Sequence, residues 1–183
     1  MERERHERRP PDDASGSPFT CSECGYSYDV DRAEIAPWMR SAARAFVDGF
    51  QAFDGTSVRG RPEPDVWSPL EYACHVRDVL RVNHARIELA QREYEPVFAP
   101  MRRDERVVED GYNEQDPQHV GRELVGAAEA FAASLDGFDD DGWQRRGVYN
   151  YPTPQLRTVE WIGIHTVHEL VHHRNDIAPI NPG

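Results

Sequence analysis

The segment IHTVHELVHHRND near the end of the chain crowds His165, His168, Glu169, His172, His173 and Asp176 among otherwise apolar neighbours. Imidazole and carboxylate at this density are the raw material of a metal site or a proton-transfer site. On a helix, residues four apart share a face with Cβ atoms about 5 to 6 Å apart, so their donor atoms can converge on one ion. Two pairs meet that spacing: His168 with His172, and Glu169 with His173. Rotation by about 100° per residue leaves both pairs flanking the apolar sector, so geometry alone does not choose between them. An ion that keeps an open coordination position needs a third protein ligand, and the apolar stripe of another helix is its natural source in a bundle. His75 meets that description, standing with Tyr72, Val76, Val79 and Leu80 one turn into a strongly signalled helix. A lone histidine in such a stripe is ordinarily a satisfied core residue; the cluster near the chain's end tips the reading toward a ligand.

The elements that must carry these residues are legible in the patterning. Ile35, Trp38, Met39, Ala42, Phe46, Phe50 and Phe53 recur at threes and fours from Asp31 to about Phe53, the mark of a helix with one buried stripe. DGTSVRGRPEPDV is too rich in Gly and Pro for a helix and forms a long connection. Ser68-Pro69-Leu70-Glu71 is a capping box with proline at the first helical position, so a second helix runs from there to about Glu93. Residues 94–115 are irregular, with room for one short helical piece. Asp116-Pro117 repeats the cap-plus-proline signal, and Val120, Leu124, Ala127, Ala128, Phe131 and Leu135 give helix three. Asp139 to Asp141 mark a solvated helix boundary, and Arg145 to Arg157, with Gly147, Pro152 and Pro154, is a loop or hairpin. Thr158 opens the last helix and Pro179 closes it. The expected class is all-α, a four-helix bundle whose long connections permit crossovers.

At 183 residues the chain is expected to hold one domain. Its net charge of −12 repels phosphate backbones and anionic lipid, which argues against nucleic acid and membrane surfaces as partners. No apolar run approaches the roughly 18 to 20 residues of a bilayer span, and MERERHERRPPDD lacks the apolar stretch of a signal peptide, so the cytoplasm is the expected compartment. Residues 1–19 are expected to be a disordered tail, 20–30 a small knuckle, 31–178 the bundle and 179–183 a C-terminal tail. The three cysteines are an odd count, which reads as reduced thiols. Cys21-Ser-Glu-Cys24-Gly25 brackets a turn, with glycine available for a positive φ. A zinc ribbon wants four ligands, yet no second such pair exists, and Cys74 falls within helix two. Cys21 and Cys24 therefore read first as an inert knuckle; a second zinc site would need histidines such as His6 or His84, or a partner chain, and a redox pair is the remaining alternative. Trp67 and Trp161 read as core packing.

WSPLEYACHVRDV, taken with HELVHHRND and the cysteine knuckle upstream, resembles the DinB-like superfamily of metal-binding four-helix bundles, over roughly residues 20–177. That superfamily includes mycothiol-dependent maleylpyruvate isomerase and bacillithiol transferases. In it, a histidine near the start of the second helix and two residues four apart on the last helix hold a divalent metal. Glu169-Leu-Val-His172-His173-Arg-Asn-Asp176 fits the isomerase branch's Glu-x-x-x-His-x-x-Asp form without a gap, so the resemblance implies His75, Glu169 and His173 as ligands. His168 and His172 would then line the cavity or face solvent. Two imidazoles and a carboxylate suit zinc, with nickel, manganese or iron as alternatives, and leave a positive centre that can acidify water or a thiol. Asp176 either orients His173 through its second ring nitrogen or is an exposed helix-end aspartate.

Two functions compete. One is an enzyme whose open metal site activates water or a low-molecular-weight thiol toward a small electrophile, in the manner of a thiol S-transferase or hydrolase, with an apolar pocket expected near His75. The isomerase of the superfamily carries a further domain that contributes to its active site and this sequence ends at Gly183, so isomerisation itself is not the expected reaction. The other is a non-catalytic metal-binding or stress-response module, as a homodimer, in which a closed four-ligand shell holds the ion.

Overall fold

Four long helices form where the apolar periodicity places them, and the last three start at the residues that signal it in the sequence, Ser68, Asp116 and Thr158. The computed structural model describes residues 19–151 and 153–180. In chain order it contains α1 (Arg32–Gln51), α2 (Pro69–Arg92), a short α3 (Arg103–Glu109), α4 (Pro117–Leu135), a short α5 (Asp140–Gln144), the strands β1 (Arg146–Tyr149) and β2 (Gln155–Thr158), and α6 (Val159–Ile177). The side chains of Asp31, Ser68, Asp116 and Thr158 accept the orphan amides of Ala33, Glu71, His119 and Trp161. At α2 the box is complete, because the Ser68 amide donates to Glu71 Oε2 at 2.8 Å. Arg61 grips the same carboxylate at 2.8 and 2.6 Å, which fastens the long first connection to the helix that carries His75. The expected tail over residues 1–19 falls outside the described residues apart from Phe19. At the other end, residues 178–180 form a 3-10 turn, and residues 181–183 of the expected C-terminal tail lie outside the described residues.

Pairings across the bundle fix its topology. Arg32 meets Glu160 and Ile35 faces Gly163, so α1 and α6 are parallel. Arg40 binds Glu129 and Asp136 while Val47 faces Gly121, so α1 and α4 are antiparallel. Arg77 and Arg81 both reach Glu123, and His84 stacks on Phe131, so α2 runs parallel to α4. His75 lies beside Glu169 and Asn83 donates to Thr166 at 3.0 Å, which makes α2 antiparallel to α6. The order is therefore up, down, down, up, with the consecutive helices α1 and α2 on one diagonal. Phe46, Phe50, Leu70, Leu80, Leu124 and Phe131 fill the core with little or no exposure. Trp38, expected in the buried stripe of α1, is 38% exposed and instead packs on Tyr26 of the knuckle.

Parallel α2 and α4 oblige the chain between them to travel back along the bundle. A buried polar network holds that crossover: Tyr112 donates to Asp78 Oδ2 at 2.8 Å, Arg77 Nε donates to Asp78 Oδ1 at 2.8 Å, and Arg77 also reaches Gln115 and Glu123. Residues 145–157, left open between loop and hairpin, are a hairpin in which Arg146 pairs Thr158 and Tyr149 pairs Gln155. Its first strand also exchanges hydrogen bonds with the crossover, Phe98 N to Val148 O at 3.0 Å and Val148 N to Pro96 O at 2.8 Å. Among the described residues, no helix is long and apolar enough to cross a membrane.

Gly147 lets the hairpin lie against Phe98, since a Cβ there would be driven into the buried ring. Gly147→Ala is expected to cost about 1 to 3 kcal/mol, the usual penalty for overpacking. The check is the urea midpoint; an unchanged midpoint would show that the hairpin is not clamped on the ring.

Candidate metal centre

α6 is buried on more than one side, which is why a helix so rich in histidine can exist inside a small domain. One side meets α1 and α2; another is covered by the knuckle, residues 19–28, where Thr20 bridges Ser27 and the Gly25 amide donates to Cys21 O at 2.9 Å, Gly25 itself having φ +74. Tyr26 and Tyr28 lie on the His168 ring at centroid distances of 5.5 and 5.4 Å, and the Tyr26 hydroxyl donates to Ile164 O at 3.1 Å.

On the bundle side, His75, Glu169 and His173 come together, all buried, with one ligating atom from each inside a 4.8 Å circle. His173 Nε2 lies 3.4 Å and His75 Nε2 3.8 Å from Glu169 Oε2. These separations are long for hydrogen bonds but near the edges of a tetrahedron around zinc, roughly 3.3 to 3.6 Å for the usual metal–nitrogen and metal–oxygen lengths. Both nitrogens of His75, Nε2 of His173 and Oε1 of Glu169 have no hydrogen-bond partner although they are buried. Unsatisfied polar atoms of that kind are costly unless something binds them, so the donor set fits an ion. Asp176, half-buried, accepts from His173 Nδ1 at 2.8 Å, a contact placed to orient the ring.

Electrostatics within the group are lopsided. Burial alone would raise Glu169, yet the surrounding His168, His173 and His75 hold it well below the ordinary carboxylate range. His75 is lowered, because its burial outweighs the pull of Glu169. His173 resists burial through Asp176 and Glu169 and is lifted to about 10. The centre thus presents a carboxylate, a neutral imidazole and one imidazole carrying a proton that a cation would replace.

The other predicted pair is not idle. His168 and His172 are buried under the knuckle, neither lining the cavity nor facing solvent as expected, and with Cys21 and Cys24 they make a second cluster whose ligating atoms also lie within 4.8 Å of one another. His84, expected as a companion for these cysteines, is instead stacked on Phe131 at 5.6 Å, on the α4 side of α2. His6 lies outside the described residues. Cys74 sits beside His75 in sequence but directs its thiol to Tyr112 O and Gln115, and burial pushes it up to about 12, an inert thiol.

A cavity of about 240 Å³ opens beside the first cluster, with His75, His165 and Glu169 on its floor and Arg86, Tyr149 and the stretch 100–105 around it. The expectation was an apolar pocket near His75; the cavity is there, but it is ringed in part by charge. Arg86 is buried in α2, donates to Asn83 Oδ1 and Ala99 O at 2.8 Å each, and lies 4.6 Å over the Tyr149 ring. His165 has a role not assigned to it from sequence: it pairs with the Tyr28 hydroxyl at 2.8 Å, stacks on Trp161 at 4.6 Å, and is depressed to about 4 by burial. Trp161 and Trp67 are half-buried packing groups, as read, but each packs on a histidine of the site, Trp67 on His75 at 5.1 Å.

A model of the DinB superfamily matches residues 38–177. The chain belongs to the DinB superfamily. Among solved structures, YfiT from Bacillus subtilis, described as a probable metal-dependent hydrolase with an unusual four-helix bundle topology, superposes with a TM-score of 0.74 at 15% identity, covering 81% of this chain and 85% of that one. The mycothiol-dependent maleylpyruvate isomerase gives a TM-score of 0.67 at 12% identity over 81% of this chain, which spans 61% of the isomerase. At such identities the likeness is one of fold. No match was found among curated proteins. The DinB match contains His75, Glu169 and His173 but begins after Cys21 and Cys24.

Arg86 is the polar tie between α2 and the cavity wall of this DinB bundle. Arg86→Met is expected to cost about 1 to 3 kcal/mol, because Ala99 O and Asn83 lose a buried donor. Arg102→Met, which breaks only the exposed pairs to Glu109 and Glu105, should stay within about 0.5 kcal/mol. Equal shifts of the two urea midpoints would show that Arg86 does not anchor the wall.

Proposed function

We propose that this DinB protein is a metal-dependent enzyme in which His75, Glu169 and His173 hold one divalent ion and a water or small thiol in the adjoining cavity is the nucleophile, giving hydrolase or thiol S-transferase chemistry. The observation that carries the reading is the convergence of buried ligating atoms from these three residues, two of which, His75 and Glu169, line a cavity of about 240 Å³. A divalent ion there would supply Lewis acidity, bringing the nucleophile's proton within reach near neutral pH. Two imidazoles and one carboxylate favour zinc, and the same set accepts nickel, manganese or iron.

The chain's own residues divide the remaining work. Glu169 supplies the negative charge that keeps a dication in a buried place. Asp176 holds the Nδ1 proton of His173, so that the Nε2 lone pair points inward. His165 stands 3.7 Å from Glu169 Oε1 with its other nitrogen on Tyr28, where it can hold or pass a proton at the cavity floor. Arg86 gives the cavity a fixed positive group suited to the anionic end of a substrate. Among the described residues, the group around His75 has three members rather than four, which supports an open shell over a purely structural ion. The described activity of YfiT and the thiol dependence of the isomerase are in keeping with this class.

The experiment is metal analysis of the purified protein, followed by cobalt reconstitution and addition of a low-molecular-weight thiol. His75→Ala and Glu169→Gln are each expected to lose one metal equivalent with helicity retained, and Asp176→Asn to weaken that equivalent by about 10- to 100-fold. The thiol should perturb the cobalt spectrum of the wild type and leave that of His75→Ala unchanged. Full metal content in His75→Ala, or a cobalt spectrum indifferent to every small thiol and to hydrolysable esters, sinks the enzyme reading.

A further inference from the structure

We propose that Cys21, Cys24, His168 and His172 form a second, closed zinc site that fastens the N-terminal knuckle to α6. The spacing is that of a Cys2His2 structural centre, two residues between the cysteines and three between the histidines, on a turn and a helix respectively. No second cysteine pair is needed, because the helix supplies the missing half. Ligating atoms of all four residues lie within 4.8 Å of one another, and Cys21 Sγ is 3.8 Å from His172 Nδ1, an edge length suited to sulfur and nitrogen on one tetrahedral ion.

Several independent observations point to a ligand here. Both ring nitrogens of His168 are buried without a hydrogen-bond partner, although the ring is only 7% exposed. His172 presents Nδ1 to Cys21, while its Nε2 lies 3.5 Å from Glu23 and 3.8 Å from Asp176, carboxylates placed to take the far proton. The Cys21 thiol lies below its ordinary value despite burial, helped by the amides of Cys24 and Glu23 and by His168, whereas burial pushes Cys24 up to about 11. The two thiols are thus unequal, that of Cys21 being the easier to ionise and that of Cys24 needing the charge of an ion.

Charge balance suits a buried structural centre. As the two metal–sulfur bonds form, each thiol gives its proton to solvent, and two thiolates with two neutral imidazoles around a dication sum to zero. The full shell leaves no position for substrate, so the site's work is mechanical. It holds Tyr26 and Tyr28 against His168 and positions the Tyr28 hydroxyl on His165 of the cavity floor. The family match begins at residue 38, so the cysteine half of this site lies outside the region shared with the superfamily model.

This inference stands apart from the reading of His75, Glu169 and His173, and each can fail alone. The test is cobalt titration of the metal-stripped full chain under reducing conditions, read by the thiolate-to-cobalt charge-transfer band and by metal stoichiometry. The wild type is expected to take two equivalents, one of which brings the charge-transfer band and tetrahedral visible intensity. Cys24→Ser and His172→Asn should each lose the band and one equivalent, whereas His75→Ala should keep the band. Zinc removal from the wild type should raise the rate of proteolysis within residues 19–31, a readout that does not depend on any variant folding. A wild-type titration with no charge-transfer band, or an unaltered band in Cys24→Ser, overturns the proposal.

Discussion

The interaction on which the structure turns is the burial of the Glu169 carboxylate in a nest of imidazoles. Oε2 faces His75 and His173, and Oε1 faces His165 and His168, at 3.4 to 3.8 Å throughout. A buried carboxylate without compensation is among the most costly groups a core can hold, so every element around it has to bring a proton donor or admit a cation. α2 must present His75 at the level of Glu169, which the capping box and the Arg61 clamp secure from the N-terminal end of that helix. α6 must be covered on its other flank, or the His168 side of the carboxylate would open to water, and the knuckle provides that cover.

Much of this was legible in the chain. Helix starts were readable because caps act locally: Ser68, Asp116 and Thr158 each bond an amide three residues on, with no help from the rest of the fold. The triad of His75, Glu169 and His173 came from a resemblance, and periodicity could not have separated it from His168 and His172. The reason is now physical. Alternation of apolar and polar residues marks out a buried face only when the opposite face is solvated, and α6 is buried toward the bundle and toward the knuckle at once. Both histidine pairs were sound candidates because both lie on buried flanks of α6.

What escaped the sequence depends on tertiary arrangement. Up, down, down, up is set by pairings such as Arg77 with Glu123 and Arg32 with Glu160, whose partners lie 46 and 128 residues away, and no local signal carries that distance. The cavity wall was missed for the same reason. Arg86 looks like an ordinary polar residue of a long helix until the crossover brings Ala99 and the hairpin brings Tyr149 to it. A usable hint existed, since Arg86 shares the α2 face of Val79 and Asn83, but a single charged residue on an apolar face is more often a snorkelling side chain. Nothing local ties Cys21 and Cys24 to His168 and His172; the packing of the knuckle on α6 brings the four together, while His84 is turned to Phe131.

One helix thus carries two clusters of different composition, each with ligating atoms within 4.8 Å of one another. A carboxylate with two imidazoles under a cavity has the composition of a reactive centre, and two thiolates with two imidazoles under a capping turn has that of a staple. The first gains from being exposed to a small molecule, the second from being sealed. Successive positions of one helix can serve both because residues i and i+1 point about 100° apart, so Glu169 and His173 look into the bundle while His168 and His172 look out to the knuckle. Asp176 at the end of the helix touches a histidine of each pair, His173 at 2.8 Å and His172 at 3.8 Å, and Glu169 touches His168 as well as its own partners. The two clusters therefore share carboxylates, and α6 is contacted through them from both sides. A helix fixed from both sides in this way holds its imidazoles to narrower limits than packing alone would set, which is what a site built on three converging donors requires.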